Sequence, residues 1–158
     1  MKNQKGFSLV ELLVVVIIIA IIAAIAIPNL LASRRAGNEA SAVSSLRTIH
    51  SANVTYQATF GGGAAFAVIG TLDDAGVELI DATLAAGTKS GYTFASSLAA
   101  DPFNAYCANA EPTVDTGATR TGDRRFGVST DGVIYQHPTA LPPCAAGILD
   151  TTGTTPIQ

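Results

Sequence analysis

Gly6-Phe7-Ser8-Leu9-Val10-Glu11-Leu12-Leu13-Val14-Val15 opens an apolar run that continues as VIIIAIIAAIAI to Ile27, and this stretch decides the fold. From Phe7 to Ile27 it covers 21 residues, broken only by Ser8 and Glu11. As a helix it is roughly 30 Å long, enough to cross the hydrocarbon core of a bilayer. The twelve Leu, Ile and Val side chains of residues 12–27 favour insertion by roughly 4–7 kcal/mol. Lys2 and Lys5 precede the run and no basic residue lies inside it, which predicts the N-terminus on the cytoplasmic side. A secretory signal would end in small residues of A-x-A type after a shorter core. This run instead passes into Pro28-Asn29-Leu30-Leu31 without such a site, so the segment is read as retained.

Glu11 stands out. A carboxylate inside an apolar span is costly and marks function by default. The bland alternative is that it reaches for the interface at a helix N-terminus, where the dipole favours an anion.

Beyond the run, Pro28 removes one helical hydrogen bond and crowds the preceding turn. The pattern nonetheless continues. Glu39, Ala42, Val43, Leu46, Ile49, His50, Asn53, Tyr56 and Phe60 recur at spacings of three and four, an amphipathic helical face. The expectation is one long helix bent at Pro28, with Gly37 as a second weak point and Gly61-Gly62-Gly63 as its end. Ala20, Ala23, Ala24, Ala26, Ala32 and Ala36 would let other helices approach closely. Arg34 and Arg35 follow as either a polar contact zone or a solvated face.

The rest is room for one small globular domain. Residues 64–90 read as one or two short helices, the last closing at Gly87. Strand signals follow at Gly91–Ala95, around Ala105–Ala108, at Arg125–Ser129 and at Val133–Tyr135, with Asp131-Gly132 as a hairpin turn. Three or four antiparallel strands laid on the amphipathic half of the helix give an α+β fold. Cys107 and Cys144 form a disulfide if this half lies outside the cytoplasm. The Thr-, Gly- and Pro-containing tail after Asp150 reads as loose surface.

Composition narrows the function. The chain is 48% hydrophobic and 13% charged, against about 25% charged in an average soluble domain. Net charge is −3, and it would be −5 without Lys2 and Lys5. No clustered basic face marks a nucleic-acid binder. There is no H-x-x-x-H, CxxC or G-x-S-x-G, and Gly61-Gly62-Gly63 lacks the Gly-Lys-Ser/Thr end of a phosphate loop. His50 reads as a satisfied core residue and His137 as part of a turn before Pro138. Asp73, Asp74 and Asp101 lack the spacing of a Ca²⁺ loop. Aromatics within the long helix occur only at Phe7 and near Tyr56, too far apart for a conducting stripe. No catalytic residue, metal or cofactor is expected.

The string from Gly6 to Val15, with its surroundings over residues 1–31, resembles the signature of type IV prepilins with a short, type IVa-like leader; pseudopilins share it. That resemblance implies a leader of residues 1–6, cut by a prepilin peptidase between Gly6 and Phe7, and N-methylation of Phe7. It implies residues 7–33 as the transmembrane and filament-core half of the helix, and 34–158 as a periplasmic or extracellular pilin domain. Glu11 would neutralise the Phe7 amine of an adjacent subunit, and since burying either charge alone is costly, the pair fixes register. Pro28 would mark the kink of related pilins. A disulfide-bonded C-terminal loop is commoner in pilins than in pseudopilins, which favours the Cys107–Cys144 pairing and the pilin reading together. The implied function is a structural subunit of a surface filament. Its partners would be copies of itself, the peptidase and methyltransferase, and indirectly an inner-membrane platform and ATPases. It would sit in the inner membrane, N-terminus in, before assembly and in an extracellular pilus afterwards. A type II secretion pseudopilin is the alternative, and a membrane-anchored enzyme the more distant one. Motility, adhesion and DNA uptake are equally compatible with the residues.

Overall fold

The computed structural model describes residues 6–100 and 105–157, so Lys2, Lys5 and Asp101 lie outside the described residues. Two compact units divide between Arg34 and Arg35. Helix α1 covers Leu9–Thr59, 51 residues with Pro28 inside. Its helical backbone persists through Pro28 and Gly37. It stops where the glycine run begins. The Phe60 and Gly61 amides both donate to the Tyr56 carbonyl (2.8 Å each), and the Gly63 amide reaches the Gln57 carbonyl (2.9 Å). Gly62 (φ 63°) and Gly63 (φ 82°) then turn the chain through the left-handed region, which residues with a Cβ resist.

In the first unit every side chain of the apolar run is at least partly exposed, because nothing within the unit covers it. The second unit has the core. Ala42, Leu46, Ile49 and Ala52, on one face of α1, pack with Ile69, Leu72, Leu84 and the inner side of a sheet. A 3₁₀ turn at Ile69–Asp73 and the short helix α2 at Ala82–Ala85 fill the 64–90 segment. Asp81 caps α2 by accepting the Leu84 amide (3.0 Å), and Gly87 (φ 77°) ends it.

The sheet is wider than expected. Strands β1 (Thr88–Lys89), β2 (Tyr92–Leu98), β3 (Tyr106–Pro112), β4 (Arg125–Ser129) and β5 (Ile134–His137) form a consecutive antiparallel meander, and β8 (Thr155–Ile157) adds to β5 at the far edge. The four expected strands are β2 to β5. The edges escape sequence reading because β1 is two residues long and β8 contains Pro156, which is tolerated only at an edge. The tail after Asp150 is therefore not wholly loose: Ile134 pairs with Ile157 and Gln136 with Thr155.

Register sets the two faces. Phe94 opposes Ala110, Ala110 opposes Phe126, and Val128 opposes Ile134, so one face carries the large residues toward α1. The other face is covered by a separate hairpin, β6 (Cys144–Ala145) and β7 (Ile148–Leu149). Cys107 on β3 is joined to Cys144 on β6, 37 residues away. A Cβ on Gly127 would come 2.6 Å from Leu149 Cδ1, so the absence of a side chain on β4 is what admits the hairpin. Ala146 (φ 49°) and Gly147 (φ 73°) make its two-residue turn, the geometry of a type I′ hairpin.

Candidate functional site

The N-terminal residues singled out by sequence carry their chemistry outward. Phe7 is 83% exposed and Glu11 lies on the exposed first turn of α1. Among the described residues the Glu11 side chain has no hydrogen bond or ion pair. An 18-residue window of this helix reaches a mean hydropathy of 3.3 with none of it buried. Such a surface is stable only against lipid or other apolar helices. Gly6 also has no steric duty in the fold, since a Cβ there would meet nothing within 4 Å.

The second unit contains a charged cluster that sequence reading did not anticipate. Glu39 sits on the buried stripe of α1, its side chain 8% exposed. One carboxylate oxygen, Oε1, accepts the backbone amides of Asp123 (2.8 Å) and Arg124 (3.2 Å). The other, Oε2, accepts Arg124 Nε (2.8 Å) and Nη2 (2.7 Å). Arg124 continues to Gln136 Oε1 (2.7 Å) and lies over the Phe126 ring. Asp123 is shared: Arg35 Nη1 approaches it at 3.3 Å and Arg120 Nε at 2.6 Å. Arg125 Nη2 meets Asp115 at 3.0 Å. Arg35, a contact zone or solvated position by sequence, thus engages its own chain. The available signal for Glu39 was a carboxylate at a stripe position otherwise occupied by buried residues. Nothing in the spacing of Arg120, Arg124 and Arg125 pointed to it.

Beside these pairs an open polar cleft of about 490 Å³ lies among Asp115, Thr116, Arg120, Asp123, Arg125 and Thr139. Among the described residues its walls hold ion pairs and hydroxyls but no histidine or cysteine. The His50 Nδ1 and Tyr106 hydroxyl lie 2.6 Å apart, the satisfied arrangement read for His50. Tyr106 is fully buried, and burial, with the Asp131 charge adding, raises its phenol well above the ordinary value. It offers a substrate no access. His137 Nδ1 accepts the amides of Thr139 and Ala140 at the end of β5, fixing the turn there. Asp73 and Asp74 belong to no group of three metal-ligating residues, a statement that holds among the described residues.

Two comparisons with known proteins give matches. A family model described as the prokaryotic N-terminal methylation motif matches residues 1–27. The type IV wide pilus major component PilA4 of Thermus thermophilus is 54% identical over 39 residues, 25% of this chain and 30% of that protein. This chain thus spans less than a third of the length of the curated relative it matches. No solved structure matches it. By these two matches the chain resembles a type IV pilin.

Proposed function

We propose that this chain, whose N-terminal segment is that of a type IV prepilin, is the structural subunit of a type IV pilus. Residues 1–6 are a leader removed between Gly6 and Phe7, and Phe7 becomes N-methylated. The cut discards Lys2 and Lys5 and leaves a new ammonium four residues before Glu11. Residues 7–33 hold the subunit in the inner membrane, N-terminus in, and later pack against the same segment of other copies.

One observation carries this reading. Glu11 is the only charged residue between Phe7 and Ser33, on a helix whose apolar surface its own unit leaves uncovered. In hydrocarbon such a carboxylate needs a cation, and the ammonium of a neighbouring Phe7 has the matching depth and charge. Pro28, with its missing amide donor, is the place in this segment where the helix can adapt to its neighbours. The likeness to a wide-pilus component and the disulfide-closed C-terminal region support a surface pilus over a secretion pseudopilin. The prepilin-type motif and the likeness to a pilus component support a structural subunit over an enzyme.

Mass spectrometry of the protein recovered from cells tests the reading. The expected N-terminus is Phe7 carrying one added methyl group, in material sheared from the cell surface as filaments. An intact Met1 terminus in such material would overturn it. A processed chain confined to a secretion complex would overturn the pilus assignment while leaving the processing intact.

A further inference from the structure

We propose that residues 138–154 are a redox-latched strap, which a small thiol opens by attack on Cys144 while the six-stranded sheet beneath it stays folded. Every residue involved lies in the second unit, so the device is independent of membrane insertion.

The strap begins and ends on paired strands. It leaves the sheet after β5 and returns in β8, where Thr155 stands in register with Gln136 of β5. Lifting what lies between them therefore takes no strand from the sheet. The hydrogen bonds that shape the strap are its own. His137 Nδ1 accepts the Thr139 and Ala140 amides at one foot, and Asp150 Oδ1 accepts the Thr152 amide at the other. Between the feet β6 pairs with β7, and the Asp150 amide donates to the Pro143 carbonyl (2.9 Å). A segment that closes its own hydrogen bonds can move without stranding them.

Two kinds of contact hold it down. One is packing, with Leu149 and Pro142 filling the place over Gly127 where a Cβ would stand. The other is the Cys107–Cys144 disulfide, whose two ends differ in exposure. Cys107 is fully buried in β3, between Ser97 of β2 and Ser129 of β4, whereas Cys144 on the strap is partly exposed. Access governs which sulfur of a disulfide is attacked. An incoming thiolate therefore bonds to Cys144 Sγ, the Sγ–Sγ bond breaks, and Cys107 leaves as a thiolate that takes up the proton the thiol lost. Cys144 holds the first thiol as a mixed disulfide until a second thiol displaces it. Two small thiols are thus oxidised to one disulfide, and the protein's disulfide is reduced to two thiols.

The latch controls what the strap shows to the outside. Cys144 and Leu149 face the sheet, so Ala145 and Ile148, opposite one another at the next register position, face away, and Ile148 is 69% exposed. A closed bond fixes this small apolar face in place. An opened bond lets it swing away and uncovers Cys107 and Gly127 on the sheet.

The test uses the full chain in detergent micelles, treated with reduced glutathione and then iodoacetamide, and read by peptide mass spectrometry and amide hydrogen exchange. Glutathione should be found on Cys144 and the carbamidomethyl group on Cys107. Exchange across residues 138–154 should rise about tenfold on reduction, and exchange in β2–β5 should change by less than about twofold, because only the strap opens. Leu149→Ala, which removes packing but keeps the bond, should speed glutathione addition about tenfold. Glutathione on Cys107, no addition in the absence of denaturant, or an unchanged rate in Leu149→Ala would each overturn the proposal. Unchanged exchange in the strap would overturn it too. So would equal rises in strap and sheet, which would mean that the bond serves the whole fold.

Discussion

Arg124 at the head of β4 binds Glu39 of the long helix through both Nε and Nη2, across 85 residues of sequence. The two partners are unequal. Glu39 is buried and also receives two backbone amides, whereas Arg124 is 48% exposed. Glu39→Ala strands two amides and a guanidinium, and should cost about 2–3 kcal/mol, below a fully buried pair because water reaches the arginine. Arg124→Ala leaves Glu39 with its two amides and should cost about 1–2 kcal/mol. Urea denaturation of both single variants and the double variant measures this. Equal costs would mean that the guanidinium, not the carboxylate, is the anchor.

Glu11→Ala should leave membrane insertion intact, because removing a charge from an apolar span favours the lipid phase. Filament formation should fall sharply. Membrane fractionation and electron microscopy of sheared material read the two separately. Normal filament numbers would rule out the pairing role for Glu11.

Removing the Cys107–Cys144 link by alanine substitution at both positions frees a segment of 37 residues, and should destabilise by about 3–4 kcal/mol on a chain-entropy account. Exchange should rise first in the β6–β7 hairpin. The Tyr92, Phe94 and Phe126 packing lies on the opposite face and should hold longer. Loss of protection across β2–β4 at the same rate would show that the hairpin is part of the cooperative core.

Tyr92 donates its hydroxyl to the Arg124 carbonyl (2.8 Å). Burial, then the Glu39 charge, raises its phenol well above the ordinary 10.0, and burial followed by Asp131 does the same for Tyr106. An unfolded chain would ionise these phenols near pH 10 while the folded one keeps them protonated. Stability is therefore full below about pH 10 and falls as pH rises through the raised folded values. Denaturation midpoints across that range should bend downward, and Tyr92→Phe should weaken the bend by one proton's share.

The sequence carried the long helix, its glycine stop, the four central strands and the helix-facing stripe, because each rests on a period or a turn that many residues repeat. It did not carry the sheet's edges. Thr88–Lys89 and Thr155–Ile157 are too short for a period to show, and their pairing depends on where β2 and β5 already lie. The proposed processing and pairing residues, Gly6, Phe7 and Glu11, were read from the sequence because a charge there interrupts a uniform background. The arginine cluster was not, since Arg35 and Asp123 are 88 residues apart and only the folded chain brings them together.

Strand β8 pairs with β5 and completes the sheet at its outer edge. On the N-in insertion proposed above, the chain exposes its residues on the far side in sequence order, so Leu46 and Ile49 would emerge long before the strands that shelter them. The sheet would then gain its last strand only when Ile157 has crossed. Until then, on that topology, the inner face of α1 would stand uncovered on that side, so its shelter depends on the last strand to be delivered.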